Sequence, residues 1–377
     1  MASKPKVLIL TADFPPATGG IQLVIHRLAA TMSRLDPLVV APRSGRAASA
    51  FDRSSPVRVK RVRTIPTAHR ATIGLLNTAA LIAARQFKPD IVLSAHIVTS
   101  PAAAAIRNQL GIPVVQYLYA SEIGMRPRLA RFAVGRSDAT IAISRHTWDL
   151  AQRTGADERK LKLIPPGVDL PDRRPQPRAQ VPTIVTVARL EERYKGHDTL
   201  IRSLPLILAR RQDVEWIVIG DGPRRTQLER LASIYGVRSS TRFLGQLSDQ
   251  ERDGWLERAH VFAMPSRIPA DGLGGEGFGI VYVEANWHEL PVVAGNTGGA
   301  VDAVVDGETG LLVDANDPMA VADAITTVLL DDDLRARLGV NGALRARNFA
   351  WPLITERVEN VLLELAAGRV SSQSGAR

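Results

Sequence analysis

Residues 170–181 read "LPDRRPQPRAQV". Proline and arginine dominate this stretch and apolar side chains are scarce, so it neither pairs as a strand nor packs as a helix; it reads as a linker. The same grammar stands on both sides of it. Before it, short apolar runs ("KVLIL", "PLVVAP", "PDIVLSA", "IPVVQYLY", "ATIAIS", "KLKLIPPGV") alternate with helical periods. After it the alternation restarts with "TIVTVARL", "VEWIVIGDG", "TRFLGQL", "HVFAMPS", "LPVVAGN" and "GLLVD". Strands alternating with helices form parallel, doubly wound α/β sheets. Two such domains are expected, over 1–172 and 173–351. A helix over about 352–370 lies beyond the second domain's last strand, and the tail "RVSSQSGAR" reads as loose.

The 377 residues suit two domains, and 45% hydrophobic content supplies ordinary cores. With no cysteine, disulfides, thiolate nucleophiles and zinc–thiolate sites are excluded. "KVLIL" is too short for a signal h-region, and nothing approaches the roughly 20 apolar residues of a membrane span. A cytoplasmic protein is expected. The net charge of +10 points to an anionic partner or to nothing more than a GC-rich genome, because the arginines are spread widely without a dense basic tract. Nothing resembles a helix-turn-helix or an aromatic RNA platform, so nucleic acid is not expected as a partner.

In doubly wound sheets, ligands bind at the loops leaving the strands' carboxyl ends. In "DFPPATGGIQ", Gly19 and Gly20 precede a helix from about Ile21 and would let backbone approach an anion; a plain tight turn reads the same way. In "VARLEERYKGHDTL", Arg189 and Lys195 bracket a strand end and a helix start, a fork and a point charge able to clamp a diphosphate. Gly220 opens the turn "GDG", with Pro223 in the first turn of the next helix. "RFLGQLSDQER" ends a strand at Gly245 and caps a helix with Ser248, placing backbone near Gln246 and Leu247 at a planar base. In "EGFGIVYVE", Glu276 stands at the lip of a helix and Gly277 and Gly279 free its amides. Ile280 and Val283 face inward, and Glu284 suits vicinal ribose hydroxyls; a capping acid and a satisfied helix acid are the plain alternatives. Thr297, Gly298 and Gly299 open another helix at a strand end. Together these loops describe a site for a nucleotide diphosphate carrying a hydroxyl-rich group.

The combination of "VARLEERYKGHDTLI", "IGDGP", "RFLGQL", "MPS" and "EGFGIVYVEA…PVVAGNTGGAVDAVVDGETGLLV", with "TADFPPATGGIQ" near the start, resembles the retaining glycosyltransferases of family 4 over nearly the whole chain. Within the family it resembles the actinobacterial phosphatidylinositol mannosyltransferases that use GDP-mannose. The resemblance implies a GT-B fold: two doubly wound Rossmann-like domains facing across a cleft, with the last helix returning to the first. It implies that Arg189 and Lys195 hold the donor diphosphate, that Glu276 contacts the transferred sugar and that Glu284 binds the ribose. Gly277, Phe278, Gly279 and Ile280 supply backbone between them, and Gly19 and Gly20 meet the donor from the first domain. It implies GDP-mannose as first donor and a UDP-sugar as second, with no metal and no other cofactor. In "PVVQYLYASEIG" this chain departs from the family pattern: Tyr119 stands where a histidine beside the donor sugar is expected, Ala120 replaces the following glycine, and Glu122 remains.

His96, also at a strand end, reads either as a site residue or as a packed histidine, with packing the favoured reading. "VRVKRVRTIPTAHRATIGLL" and "GMRPRLARFAVGRSD" interleave cations with apolar residues, suiting either a solvated face or peripheral contact with an anionic membrane. The acceptor is then a small molecule, a saccharide or a lipid-linked hydroxyl. A catalytically silent nucleotide-sugar binder and a sugar-nucleotide epimerase are the other readings.

Overall fold

The computed structural model describes residues 3–17, 19–45, 47–172 and 176–374, the last six of these by backbone alone. The chain divides into two compact units, Met1–Gly167 with Trp351–Arg377, and Val168–Ala350. Of the linker, 173–175 lie outside the described residues. Beyond them, the Arg178 guanidinium donates to the carbonyls of Glu257, Ala259 and Glu289, which fastens that end to the second unit.

The first unit is a seven-stranded parallel sheet: β1 (Lys6–Leu10), β2 (Asp36–Pro42), β3 (Val59–Val62), β4 (Ile91–Ser94), β5 (Val114–Leu118), β6 (Ala139–Ala142) and β7 (Leu161–Leu163), in the order β3-β2-β1-β4-β5-β6-β7. The second is six-stranded and parallel: β8 (Thr183–Val187), β9 (Glu215–Ile219), β10 (Thr241–Gly245), β11 (Val261–Met264), β12 (Val292–Gly295) and β13 (Gly310–Val313), in the order β10-β9-β8-β11-β12-β13. β-Branched runs fill the central strands because helices cover both faces. Val7 to Leu10 and Val261 to Met264 are all sealed from solvent. Each order reverses once, between β1 and β4 and between β8 and β11, and there the loops at the carboxyl ends diverge.

Polar side chains set several helix starts. Ser248 accepts from the Glu251 amide while Glu251 reaches back to the Ser248 N–H, a closed capping box. Asp331 accepts from the Leu334 amide and starts the helix Asp332–Ala346. The helix after "GDGP" differs from expectation. It spans Arg225–Ile234, not starting at Pro223, because the Arg224 amide is taken by the Leu190 carbonyl at 3.0 Å. The last helix, Trp351–Ser374, runs further than the reading of a loose tail from residue 369 allowed, since no proline or glycine interrupts it after Gly368; 375–377 lie outside the described residues. It packs on the helix Gly20–Thr31. Glu359, 1% exposed, accepts the amides of Ser33, Arg34 and Leu35 at 2.9, 2.7 and 3.1 Å.

Candidate active site

At the reversal of the second sheet, the loops after β8 and β11 are drawn together. Gly196 has φ +80, and a Cβ there would stand 1.9 Å from the Pro265 carbonyl, so only glycine lets the β8 loop close onto the end of β11. Arg267 completes the clasp: its amide donates to the Tyr194 carbonyl at 2.8 Å, and its guanidinium forks onto Asp198 at 2.9 Å and meets Thr199 at 3.0 Å.

This clasp presents Lys195, the last residue of a 3-10 turn Arg193–Lys195, directly to Glu276. Nζ stands 2.6 Å from Oε2, with both side chains mostly sealed from solvent. Burial is the largest influence on the ammonium and pulls it down, but Glu276, Tyr194 and Glu192 outweigh it and hold it above its ordinary value. Lys195 also sits 5.2 Å over the Tyr194 ring, whose phenol is pushed up to about 12, chiefly by burial. Arg189 is half-exposed and paired with Glu191 at 3.1 Å and Glu192 at 3.5 Å, and both it and Lys195 act on the Tyr194 phenol. A loop charge without a buried anchor goes to the nearest carboxylates.

Gly279 begins the helix Ile280–Trp287 at φ +88, where a Cβ would meet the Tyr282 ring at 2.2 Å. Tyr282 is buried, bonded to Ser266 at 2.9 Å and donating to the Met264 carbonyl at 2.8 Å, so it ties this helix to β11. The Gly299 amide donates to the Glu276 carbonyl at 2.7 Å, fixing the loop that carries the acid. Gly277 lies beside it. Phe278 is buried and packs on Phe349 at 5.5 Å, leaving only its backbone for a ligand. Val283 is buried but Ile280 only half so, a correction to its inward reading: it sits in the first turn, at the open end of the helix. Glu284 is raised, first by burial; Arg252 pulls it back while Asp253, Asp169 and Asp249 add to the rise. Arg252 in turn binds Asp253 at 2.9 Å and Asp249 at 3.1 Å. Gly220, after β9, donates its amide to the Gly245 carbonyl at 2.8 Å. Leu247 is half-buried and lines a shallow depression with Gln250, Trp255 and Arg258.

Spacing had not singled out Tyr194, His197, Arg224 or Arg252. His197 is 1% exposed at the first position of the helix His197–Arg210. Neither ring nitrogen has a partner, and burial, then Lys195 and Arg224, lower it to about 3. The Arg224 guanidinium is lowered by burial, with Arg193 and Arg267 adding to that effect against Asp198. The sequence signal for a cationic pocket was the density of arginine at three strand ends.

In the first unit, Gly19 precedes the helix Gly20–Thr31 and accepts the Leu23 amide at 3.1 Å, while Gly20 has open space around it. Tyr119 is buried with its hydroxyl unpartnered, and burial, then Tyr117, Glu122 and Asp13, push the phenol well above its ordinary value. His96 is mostly buried and paired through both ring nitrogens. Its Nδ1 lies 2.7 Å from Glu122 and its Nε2 3.4 Å from Asp13. Burial pulls the imidazole down, yet those two carboxylates, opposed only by Arg126, raise it above its usual value, because an imidazolium between two acids is preferred. Asp13 also accepts from Gln22 at 3.1 Å, and Glu122 from the Ile97 amide at 2.9 Å.

Two doubly wound units, the second holding a lysine–glutamate contact and helix N-termini at its switch point, define a protein built to hold an anionic ligand where group transfer can occur. The family description "Glycosyltransferase Family 4" fits residues 18–171 and "Glycosyl transferases group 1" fits 171–345. A GDP-mannose-dependent alpha-(1-6)-phosphatidylinositol monomannoside mannosyltransferase from Mycolicibacterium smegmatis is 32% identical, covering 96% of this chain and 98% of the relative. The monoacylated-acceptor counterpart from Corynebacterium glutamicum is 29% identical over 96% and 99%. Among solved structures, Anabaena HepE with UDP and glucose superposes with TM-score 0.79 at 21% identity, covering 96% of this chain and all of that one. Sucrose-phosphate synthase from Thermosynechococcus elongatus gives 0.81 at 20%, covering 97% of this chain and all of that one. The chain belongs to glycosyltransferase family 4, with the GT-B fold, and is a sugar transferase that uses a nucleotide sugar.

Proposed function

We propose that the protein moves a mannose-like hexosyl group from GDP-mannose to a hydroxyl of a lipid-linked acceptor, with retention and without a metal. The observation that carries this reading is the Lys195–Glu276 contact at the β8–β11 reversal. An ammonium held charged beside two helix N-termini is suited to a diphosphate, and it favours the charge that grows as the sugar's C1–O bond breaks. Arg189 swings from its surface acids to the same phosphates. Glu276 meets the sugar, Glu284 the ribose, and the amides of Gly277 to Ile280 and of Gly19 and Gly20 the remaining donor oxygens; Gly220 and Leu247 line the nucleotide. The acceptor hydroxyl attacks on the face from which the diphosphate leaves, and its proton passes to the leaving phosphate. Tyr119 takes the place of the family's histidine beside the sugar. The first unit takes the acceptor and the second the donor. The mannosyltransferase names of the relatives support the donor and acceptor class.

The experiment is calorimetric titration with GDP-mannose, UDP-glucose and UDP-N-acetylglucosamine, beside Arg189→Ala, followed by transfer to phosphatidylinositol mannoside in chelator. Binding of GDP-mannose alone, weakened in the variant, with an α-linked product, is expected. Tight binding of a UDP-sugar overturns the donor. Binding without transfer or hydrolysis favours a silent binder, the reading that Tyr119's buried hydroxyl motivates.

A further inference from the structure

The first sheet reverses between β1 and β4, as the second does between β8 and β11, and a ligand crevice belongs at such a reversal. Asp13 follows β1 on one side of it and His96 follows β4 on the other. Tyr119 and Glu122 follow β5, the next strand along.

Glu122 is the inner member of this group. It is 2% exposed and receives the Ile97 amide at 2.9 Å, the Tyr119 amide at 3.3 Å and the His96 Nδ1 at 2.7 Å. The Val98 amide also reaches Nδ1, at 3.2 Å. A carboxylate at 2.7 Å requires a proton on that nitrogen, so Nδ1 donates to Glu122. The other ring nitrogen, Nε2, faces Asp13 Oδ2 at 3.4 Å. Asp13 Oδ1 accepts from Gln22 at 3.1 Å, and the Asp13 backbone is pinned twice to the hydroxyl of buried Thr11. A third of the Asp13 side chain is exposed, so this is the member open to a ligand. Among the described residues each of its oxygens takes one donor, which leaves lone pairs for another. The hydroxyl of buried Tyr119 has no partner among the described residues, and both acids act on it, so a donor is still unspent beside them.

We propose that His96 is a positioning residue for the acceptor: its charged imidazole aims the Asp13 carboxylate at a hydroxyl of a polyol bound in the first unit. This role rests on the assignment of the acceptor to that unit. With both nitrogens protonated the ring bridges the two acids. A neutral ring keeps one proton, and the shorter contact, to Glu122, retains it. Asp13 then faces a bare nitrogen lone pair and turns away. Burial is the largest influence on the ring and favours the neutral form, as does Arg126 at the end of the helix Ala120–Met125; Glu122 from that helix and Asp13 from the β1 loop outweigh both. The bridge therefore persists above the ordinary histidine range and is lost as pH climbs further. Acceptor affinity falls on the alkaline side, while donor affinity stays in place because no residue of the second unit takes part.

The test is transfer from GDP-mannose to phosphatidylinositol mannoside from about pH 6 to 9, with a GDP-mannose titration of every variant that also reports folding. Asp13→Asn raises the acceptor KM about tenfold or more, the loss of one hydrogen bond to a charged group, and leaves donor Kd unchanged. In the wild type that KM climbs at alkaline pH; in His96→Gln it is raised throughout and flat. Glu122→Gln moves the climb to lower pH, because the ring loses its nearer acid, a shift that a packing role alone does not produce. A second readout needs no turnover. In histidine NMR spectra, deacylated phosphatidylinositol mannoside added with GDP lowers the titration midpoint of the resonance that His96→Gln removes, since a hydroxyl bonded to Asp13 draws off its charge. An unchanged acceptor KM in Asp13→Asn, parallel pH profiles for wild type and His96→Gln, or a His96 resonance that the deacylated acceptor leaves in place each overturns the proposal. A wild type that binds GDP-mannose but transfers to nothing defeats the proposed function instead, and the His96 resonance then decides this role alone.

Discussion

Lys195 and Glu276 form a contact that a ligand can rearrange. Each neutralises the other at 2.6 Å, so a diphosphate arriving at Lys195 competes with a carboxylate already in place. Lys195→Met removes one charge-assisted contact of about 2 kcal/mol, or about thirtyfold in donor Kd. Glu276→Gln acts differently: it frees the ammonium, so GDP alone binds as well or better while GDP-mannose loses its advantage over GDP. Titrating both ligands against both variants separates the roles, and equal losses for GDP and GDP-mannose in Glu276→Gln would refute the assignment of Glu276 to the sugar. A second residue, His197, governs acid behaviour. Its imidazole is held neutral at about 3 by burial, whereas the unfolded chain's histidine titrates near 6.5. The unfolded state therefore binds more protons as pH falls below about 6.5, and folding stability drops by up to about 1.4 kcal/mol per pH unit from this group. Because neither ring nitrogen has a partner, His197→Phe sacrifices no hydrogen bond. Thermal melts from pH 7 down to 5 are expected to show a shallower acid loss in the variant; parallel curves would sink the idea.

At the scale of elements, the helix Ile280–Trp287 depends on one backbone conformation. Gly279→Ala places a Cβ in the left-handed region and 2.2 Å from the Tyr282 ring, which itself is pinned to Ser266 and Met264. Strain of about 1–2 kcal/mol plus the displaced ring is expected to lower the melting temperature and weaken donor binding together. Donor affinity unchanged in a folded Gly279→Ala protein would show that the helix start is not part of the site. Much of this was legible in the sequence. Strands such as "TIVTV" are β-branched runs bounded by turn residues, and glycines at their ends announce close backbone approach. What was not legible depended on partners far along the chain. Arg252 and Glu284 influence each other because the helix Asp249–Arg258 leads into β11 and the helix Ile280–Trp287 follows it. The helix expected at Pro223 starts later because Leu190 captures an amide. Arg189's surface pairing turned on two adjacent glutamates that spacing alone left without a role. The pairing of His96 was hidden because neither Asp13 nor Glu122 is near it in sequence.

At the scale of the molecule, the first unit is assembled from both ends of the chain. Thr31 and Thr355 share a hydroxyl contact at 2.6 Å, and Arg34 reaches the Glu356 carbonyl at 3.0 Å and Asn360 at 2.7 Å. Glu359 is the centre of this junction: one buried carboxylate oxygen receives three consecutive amides, and the other takes the Arg34 Nε at 3.2 Å. Leu35 is buried, so removing the carboxylate leaves at least its amide unsatisfied, while those of Ser33 and Arg34 lie nearer the surface. Glu359→Ala is expected to destabilise the first unit by about 3 kcal/mol. Glu359→Gln keeps a carbonyl oxygen for the amides and loses only the charge toward Arg34, so it costs less. Calorimetric unfolding distinguishes the cases. The transition assigned to Met1–Gly167 with Trp351–Arg377 shifts down in the order wild type, Gln, Ala, while that of Val168–Ala350 stays in place. Should Gln destabilise as much as Ala, the charge rather than the acceptor geometry would be the source of stability. Should the second transition move instead, the last helix would belong energetically to the donor unit.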